Sequence, residues 1–341
     1  MTAMLHGDLL DLCRQAGVKE VHADTLRACI FRRGERDFLS MHGLPKLFTH
    51  WLKAHVCHPS VSVLHTQVDT DHTQKMLLRL PYGGEVESVL IPAAGRITQC
   101  ISSQVGCAMA CTFCLTATAG LQRNLHTSEM IAQLMQAKWL MGSYPRNVVL
   151  MGMGEPLHNY NAVARFVWIA TDPAGIALSP RRITLSTSGL VPAIKRMQAD
   201  NLPCNLAVSL NASNDTVRND LMPVNHKYPL SVLMPVLRDF SAQTKRKRVL
   251  IEYVLIDGVN DTLKDAMALV DLLADLPCTV NLLPLNTHHG TSYRRSSDAA
   301  VQQFWQTLNS AGYVAVVRQS RGQNISAACG QLKAENIPPK D

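Results

Sequence analysis

The sequence predicts an α/β protein built on an open, partial (β/α)6 barrel of the TIM type, preceded by a small helical domain and a short antiparallel β linker. Three observations predict it. From about residue 96 onward, short β-branched runs alternate with helical stretches, which implies a parallel sheet with right-handed crossovers. Six such units are too few to close an eight-stranded barrel. Ahead of them the hydrophobic period is helical first and then close to two residues. The implied organisation is a helical accessory domain over 1–57, a β linker over 58–95, the barrel core over 96–332 and a tail over 333–341.

The elements follow from local pattern. Apolar residues recur at helical spacing in Leu5–Leu12, Val21–Phe31 and Leu44–Leu52. Asp24-Thr25 reads as an N-cap and Pro45 suits the first turn of the third helix. Val61–His65, Lys75–Leu80 and Val86–Ile91 alternate as strands, with Tyr82-Gly83-Gly84 as the hairpin turn between the last two. Strands are expected over Arg96–Ser102, Asn147–Gly152, Arg182–Ser188, Asn205–Leu210, Arg248–Ile256 and Thr279–Leu285. Helices are expected between them, over Thr127–Met141, Tyr160–Ala170, Val191–Gln198, Asp215–Leu221, Leu230–Phe240 and Asp261–Leu276. Thr127-Ser128-Glu129 and Asn260-Asp261 look like caps, and a seventh strand, Tyr313–Arg318, follows a helix near 297–311.

Composition narrows the class. With 47% apolar and 17% charged residues the chain reads as globular, not disordered. It lacks the run of about 18 apolar residues that a membrane span requires. Its first residues lack the basic start and apolar block of a secretory signal, so the cytoplasm is expected. Ten cysteines without an export signal point to metal or catalytic thiols over disulfides. Cys13, Cys29, Cys57, Cys204 and Cys278 lie in patterned apolar segments and read as small buried hydrophobes. The net charge of +7 permits a polyanionic partner, with the densest cluster at Lys245-Arg246-Lys247-Arg248.

The chemistry concentrates in Cys107-Ala108-Met109-Ala110-Cys111-Thr112-Phe113-Cys114. Three thiolates this close can converge on one soft metal centre. Three without a neighbouring fourth would leave one iron of a cubane cluster open for chemistry, whereas structural zinc and electron-transfer clusters usually take four ligands. Spacing alone also admits a zinc site completed by a distant Cys or His. Further candidate residues fall at strand C-termini, the edge where parallel α/β sheets bind ligands: Gly154-Glu155, Ser186, Ser209-Leu210-Asn211 and Asn286.

The cysteine loop, with Gly154-Glu155-Pro156 after the second strand, resembles the radical S-adenosylmethionine (SAM) superfamily. The strings Cys100–Cys107, Met151–Leu157, Leu185–Gly189 and Ala327–Leu332 resemble its RlmN/Cfr-type branch, which methylates an adenine ring carbon, C2 or C8, in ribosomal and in some cases transfer RNA. The resemblance implies that Cys107, Cys111 and Cys114 ligate one [4Fe-4S] cluster. It implies that Gly154, Glu155, Ser186, Ser209, Leu210, Asn211 and Asn286 contact SAM, two molecules of which are used per turnover. By the same resemblance Cys329 becomes S-methylated and, as a carbon radical, adds to the ring; Cys100 takes the ring proton and resolves the adduct by a disulfide with Cys329. Glu87 matches a position assigned as proton acceptor, a flavodoxin-like reductant is implied, and the chain is expected to be a monomer. Two strings depart from the family pattern. Asn211 stands where the family usually has His, and Thr287-His288-His289-Gly290 replaces a Pro-containing turn.

Overall fold

The computed structural model describes residues 4–57, 61–242, 249–288 and 290–334. The basic cluster Lys245–Arg248 and His289 lie outside these residues, as does most of the expected tail. Three helices open the chain, α1 (His6–Gln15), α2 (His22–Arg27) and α3 (Lys46–His55), and α2 runs on into a π-helical turn over Ala28–Arg33. Asp24 and Thr25 are not the cap of α2. The helix starts at His22, so Asp24 sits in its first turn and pairs with Arg27. The module packs on the core through Arg27 to Asp172 (2.9 Å), Tyr144 Oη to the Phe31 carbonyl (2.8 Å) and Trp139 Nε1 to the Gly34 carbonyl (2.9 Å).

The strands that follow are β1 (Ser62–Val68), β2 (Gln74–Arg79), β3 (Glu85–Ala93) and β4 (Arg96–Cys100). They are joined by antiparallel pairing, with Val89 opposite Cys100 between β3 and β4. The ribbon is not a separate sheet. On its other side β4 pairs in parallel with β7 (Asn147–Leu150), placing Cys100 opposite Val149. One ten-stranded sheet therefore runs β1-β2-β3-β4-β7-β8-β9-β10-β11-β12 among the described residues.

A small hairpin, β5 (Gln104–Gly106) with β6 (Leu121–Asn124), frames the cysteine loop. Beyond it α4 (Thr127–Met141) leads to β7, then α5 (Tyr160–Thr171) to β8 (Ile183–Thr187) and α6 (Val191–Ala199) to β9 (Asn205–Ser209). Helices α7 (Asp215–Leu221), α8 (Val224–Lys227) and α9 (Leu230–Ala242) precede β10 (Val249–Leu255). Then come α10 (Leu263–Leu272), β11 (Cys278–Pro284), α11 (Asp298–Ser310) and β12 (Val314–Val317). Seven strands, β4 and β7 to β12, are mutually parallel, and β4 and β12 do not pair, so the barrel stays open.

Strict alternation explains how the site is built. In β10, Val249, Ile251, Tyr253 and Leu255 are fully buried, while Leu250, Glu252 and Val254 occupy the opposite face. Asn260-Asp261 do not cap α10. Thr262 does, its Oγ1 accepting the Asp265 amide (3.2 Å). Asn260 is instead buried, donating to the carbonyls of Asn211 and Val254 (2.8 and 2.7 Å). Cys13, Cys29, Cys204 and Cys278 are buried, but Cys57 is exposed just past α3, where the helical stripe has ended. Among the described residues no helix is long and apolar enough to cross a membrane.

Candidate active site

A cavity of about 170 Å³ opens at the C-terminal edge of the parallel strands. Cys107, Cys111 and Cys114 line one wall. Their loop is shaped by local geometry: the Cys107 amide donates to the Gly120 carbonyl (2.9 Å), and Ala110 takes a left-handed conformation at φ +54°. Gly106 just before it has φ +74°, and a Cβ there would fall 1.7 Å from the Gly120 carbonyl oxygen. Gly106→Ala is therefore expected to force the hairpin apart and abolish iron binding, measured as iron and sulfide per chain after anaerobic reconstitution. Full iron loading would contradict this account of the loop.

The turn after β7 lines the same cavity. Gly154 has φ +102°, with room for a Cβ only at 2.5 Å from Gln104 Cβ, and Gln104 Oε1 accepts the Glu155 amide (2.8 Å). The Glu155 carboxylate is buried and accepts the amides of Ser188 (2.7 Å) and Leu157 (3.0 Å). Burial raises its pKa, the amide bonds opposing, and it makes no ion pair with a side chain among the described residues. Ser186, Ser209, Asn211 and Asn286 also line the cavity.

Not every expected contact is there. Leu210 is fully buried behind the wall, its carbonyl accepting from Arg218 Nε (3.0 Å). Asn211 reaches the cavity, but at φ +59° its Oδ1 accepts the Val254 amide (2.9 Å), bracing the end of β10. The left-handed region tolerates Asn better than most residues, a local reason for Asn at this position. Glu87 does not line the cavity. It is buried, with Oε1 on Lys75 Nζ (2.9 Å) and Oε2 accepting the Lys333 amide (2.9 Å).

Cys329 lines the same cavity as the cluster-type cysteines. The residue is exposed as a whole, yet its thiol sits against the wall. Desolvation there, aided by the nearby charge of Glu252, pushes it up to about 11, and Arg318 opposes the shift. Cys100 is buried, its thiol raised chiefly by burial and further by Cys329, which puts the two thiols within electrostatic reach. Burial likewise pushes Cys107 up to about 11 and Cys111 well above the usual thiol range, with the neighbouring thiolates adding repulsion.

Two charged residues escaped the sequence reading. Glu252, on the inward face of β10, lines the cavity and accepts from Asn281 Nδ2 (2.8 Å). An acidic residue amid the apolar run Val249–Leu255 was the available signal. Arg218 is fully buried on α7, a helix whose sequence looks like a solvated surface element.

These residues fit an iron–sulfur cluster and an aminocarboxylate ligand. The wall supplies three soft thiolates whose mutual repulsion cationic irons would relieve, and Glu155 offers a buried carboxylate suited to an ammonium group.

Residues 101–272 match the family model for the radical SAM superfamily. A dual-specificity RNA methyltransferase RlmN from Rhodospirillum rubrum is 42% identical over 339 residues, covering 97% of this chain and 79% of its own. The RlmN of Geobacter sulfurreducens is 45% identical over 320 residues, covering 94% and 88%. The crystal structure of a radical SAM methyltransferase from Sphaerobacter thermophilus superposes with a TM-score of 0.93 at 40% identity, covering 98% of this chain and 99% of that one.

Proposed function

We propose, for a chain that belongs to the RlmN/Cfr family of radical SAM RNA methyltransferases, that Cys329 carries the methyl group to an adenine ring carbon, C2 or C8, with Cys100 as its thiol partner. The enzyme methylates RNA using one [4Fe-4S] cluster and SAM twice. When bound, the cluster and SAM supply the one-electron chemistry that an unreactive ring carbon demands.

The chain's own residues divide the remaining work. Cys107, Cys111 and Cys114 would hold three irons, and Gly154 and Glu155 would receive the methionine ammonium, the glycine allowing close approach. Ser186, Ser209 and Asn286 would offer short hydroxyl and amide groups to the ribose, adenine and methionine. Cys329 would present its sulfur at the mouth of the cavity. Its raised pKa keeps it a neutral thiol until its proton is removed. Cys100, buried and held protonated by the same desolvation, is protected from premature oxidation until it faces Cys329. By resemblance the electron donor would be flavodoxin-like, the RNA a structured ribosomal or transfer RNA, and the enzyme a cytoplasmic monomer. Residues 1–57 would act as an accessory module beside the 96–332 core.

One observation carries this reading: Cys329, more than two hundred residues after the cysteine triad, lines the same cavity. The test is mass spectrometry of the Cys329 peptide from protein made in cells, together with nucleosides from RNA of cells with and without the gene. A methylated Cys329 and one methyladenosine that disappears with the gene are expected. An unmodified Cys329 alongside persistent RNA methylation by this enzyme would refute the reading.

A further inference from the structure

The segment that carries Cys329 has little structure of its own. After β12 the chain forms only a short turn, Gln323–Ile325, before residue 334. A flexible run of this kind would move a thiol by ångströms. It is held instead by the antiparallel ribbon from the other end of the chain.

Four side chains of the ribbon hold it. Asp71, in the β1–β2 turn, accepts the Gly322 amide (3.1 Å). Asp69 accepts both the amide and the Nδ2 of Asn324 (3.2 and 2.7 Å). Lys75 Nζ, from β2, donates to the Ser326 carbonyl (3.4 Å), and Glu87 of β3 accepts the Lys333 amide (2.9 Å). Lys75 and Glu87 are paired to each other at 2.9 Å, their side chains 6% and 4% exposed. Cys329 lies between the last two anchors in sequence. Its own carbonyl accepts from Asn286 Nδ2 (3.3 Å), and that of Gly330 accepts the Leu115 amide (2.8 Å), which ties the segment to the cysteine loop.

A buried ion pair is a poor device for stability. Desolvating two charges cancels most of their attraction, and apolar replacements of similar volume are often neutral or stabilising. Its presence here points to another role, and the two partners reach the segment on either side of Cys329.

We propose that Lys75 and Glu87, with Asp69 and Asp71, form a clasp that positions the Cys329 segment over the cavity, which gives Glu87 a positioning role. The inference rests on Cys329 as the methyl carrier. A thiol displaced by about 1 Å from its working position loses roughly a hundredfold in rate.

The test compares Lys75→Met, Glu87→Leu and the double variant in the full-length, cluster-loaded enzyme. Each single variant strands one buried charge and lowers the melting temperature; the double variant restores it. All three are expected to speed amide hydrogen exchange over 322–333 by about tenfold or more, and in the double variant, whose stability is restored, β2 and β3 are unchanged. Methyl transfer falls about a hundredfold in kcat with KM for SAM preserved, in the double variant as in the singles. Asp71→Ala, at a surface turn, loosens residues 322–326 even if the buried variants fail to fold.

Wild-type exchange over 322–333 in the double variant and in Asp71→Ala would overturn the clasp. Loss of transfer in Glu87→Leu but full transfer in Lys75→Met would overturn it too, and would leave Glu87 a proton-accepting role alone. If the wild-type enzyme carried no methyl on Cys329, the methyl-carrier reading would fail while the exchange data still judged the clasp.

Discussion

A Cys329→Ala protein is expected to keep its full complement of iron and sulfide, to carry no S-methyl group and to transfer no methyl to RNA. The substitution removes one sulfur and leaves Cβ. The anchors on either side bind backbone groups: the Cys329 carbonyl to Asn286, the Gly330 carbonyl to Leu115, the Lys333 amide to Glu87. The substitution removes one sulfur from the cavity wall and none of these backbone bonds, so stability should change by no more than about 1 kcal/mol. The loss in rate should be about 10⁴-fold or more, the scale met when a covalent catalyst loses its reacting atom. Iron loading should be unaffected, since the triad proposed to hold the cluster lies on a different loop, framed by β5 and β6. Methylated nucleoside formed by the variant at even a tenth of the wild-type rate would rule out Cys329 as carrier.

The largest stability effect is expected at Arg218. Its side chain is fully buried, and its guanidinium donates to the carbonyls of Leu210 (3.0 Å), Ser188 (2.7 Å) and Ser209 (3.3 Å) and to Asn225 Oδ1 (2.7 Å). From α7 it thereby joins the ends of β8 and β9 to α8. Burial draws its pKa down to about 10, so it remains charged at neutral pH, and its charge eases that of the Cys111 thiolate. Arg218→Leu leaves several buried acceptors without donors, each worth about 1–3 kcal/mol. A total loss of about 4 kcal/mol or more is expected, read as a lower urea midpoint at unchanged slope. Arg218→Lys should recover little, since three donors on a compact ammonium cannot span acceptors that a planar fork reaches together. A midpoint within experimental error of wild type would show that water replaces the guanidinium.

Much of this was legible in the sequence because it is periodic. The parallel strands and their helices were found within a few residues, since β-branched runs and amphipathic stretches have distinct periods. The cysteine loop was legible because its three cysteines fall within eight residues. Caps were less so: Asp24 has a capping side chain, but the cap position of α2 falls three residues earlier, at Val21, and Asn260 is drawn inward to hold Asn211. The hairpin of β5 and β6 escaped notice, with strands of three and four residues too short to show alternation. Glu252, Arg218 and the burial of Glu87 share one cause. A charge reads as solvated until its partners are known, and these lie far off in sequence: Asn281 for Glu252, the carbonyl of Ser188 for Arg218, the amide of Lys333 for Glu87.

The order in which the parts leave the ribosome has its own logic. The ribbon that carries Lys75 and Glu87 emerges early, and the sheet is complete at Val317, before the Cys329 segment exists. A nascent chain ending there would have the cysteine triad and the sheet but not Cys329. On the function proposed above, the segment that follows the sheet is the one that supplies the methyl carrier.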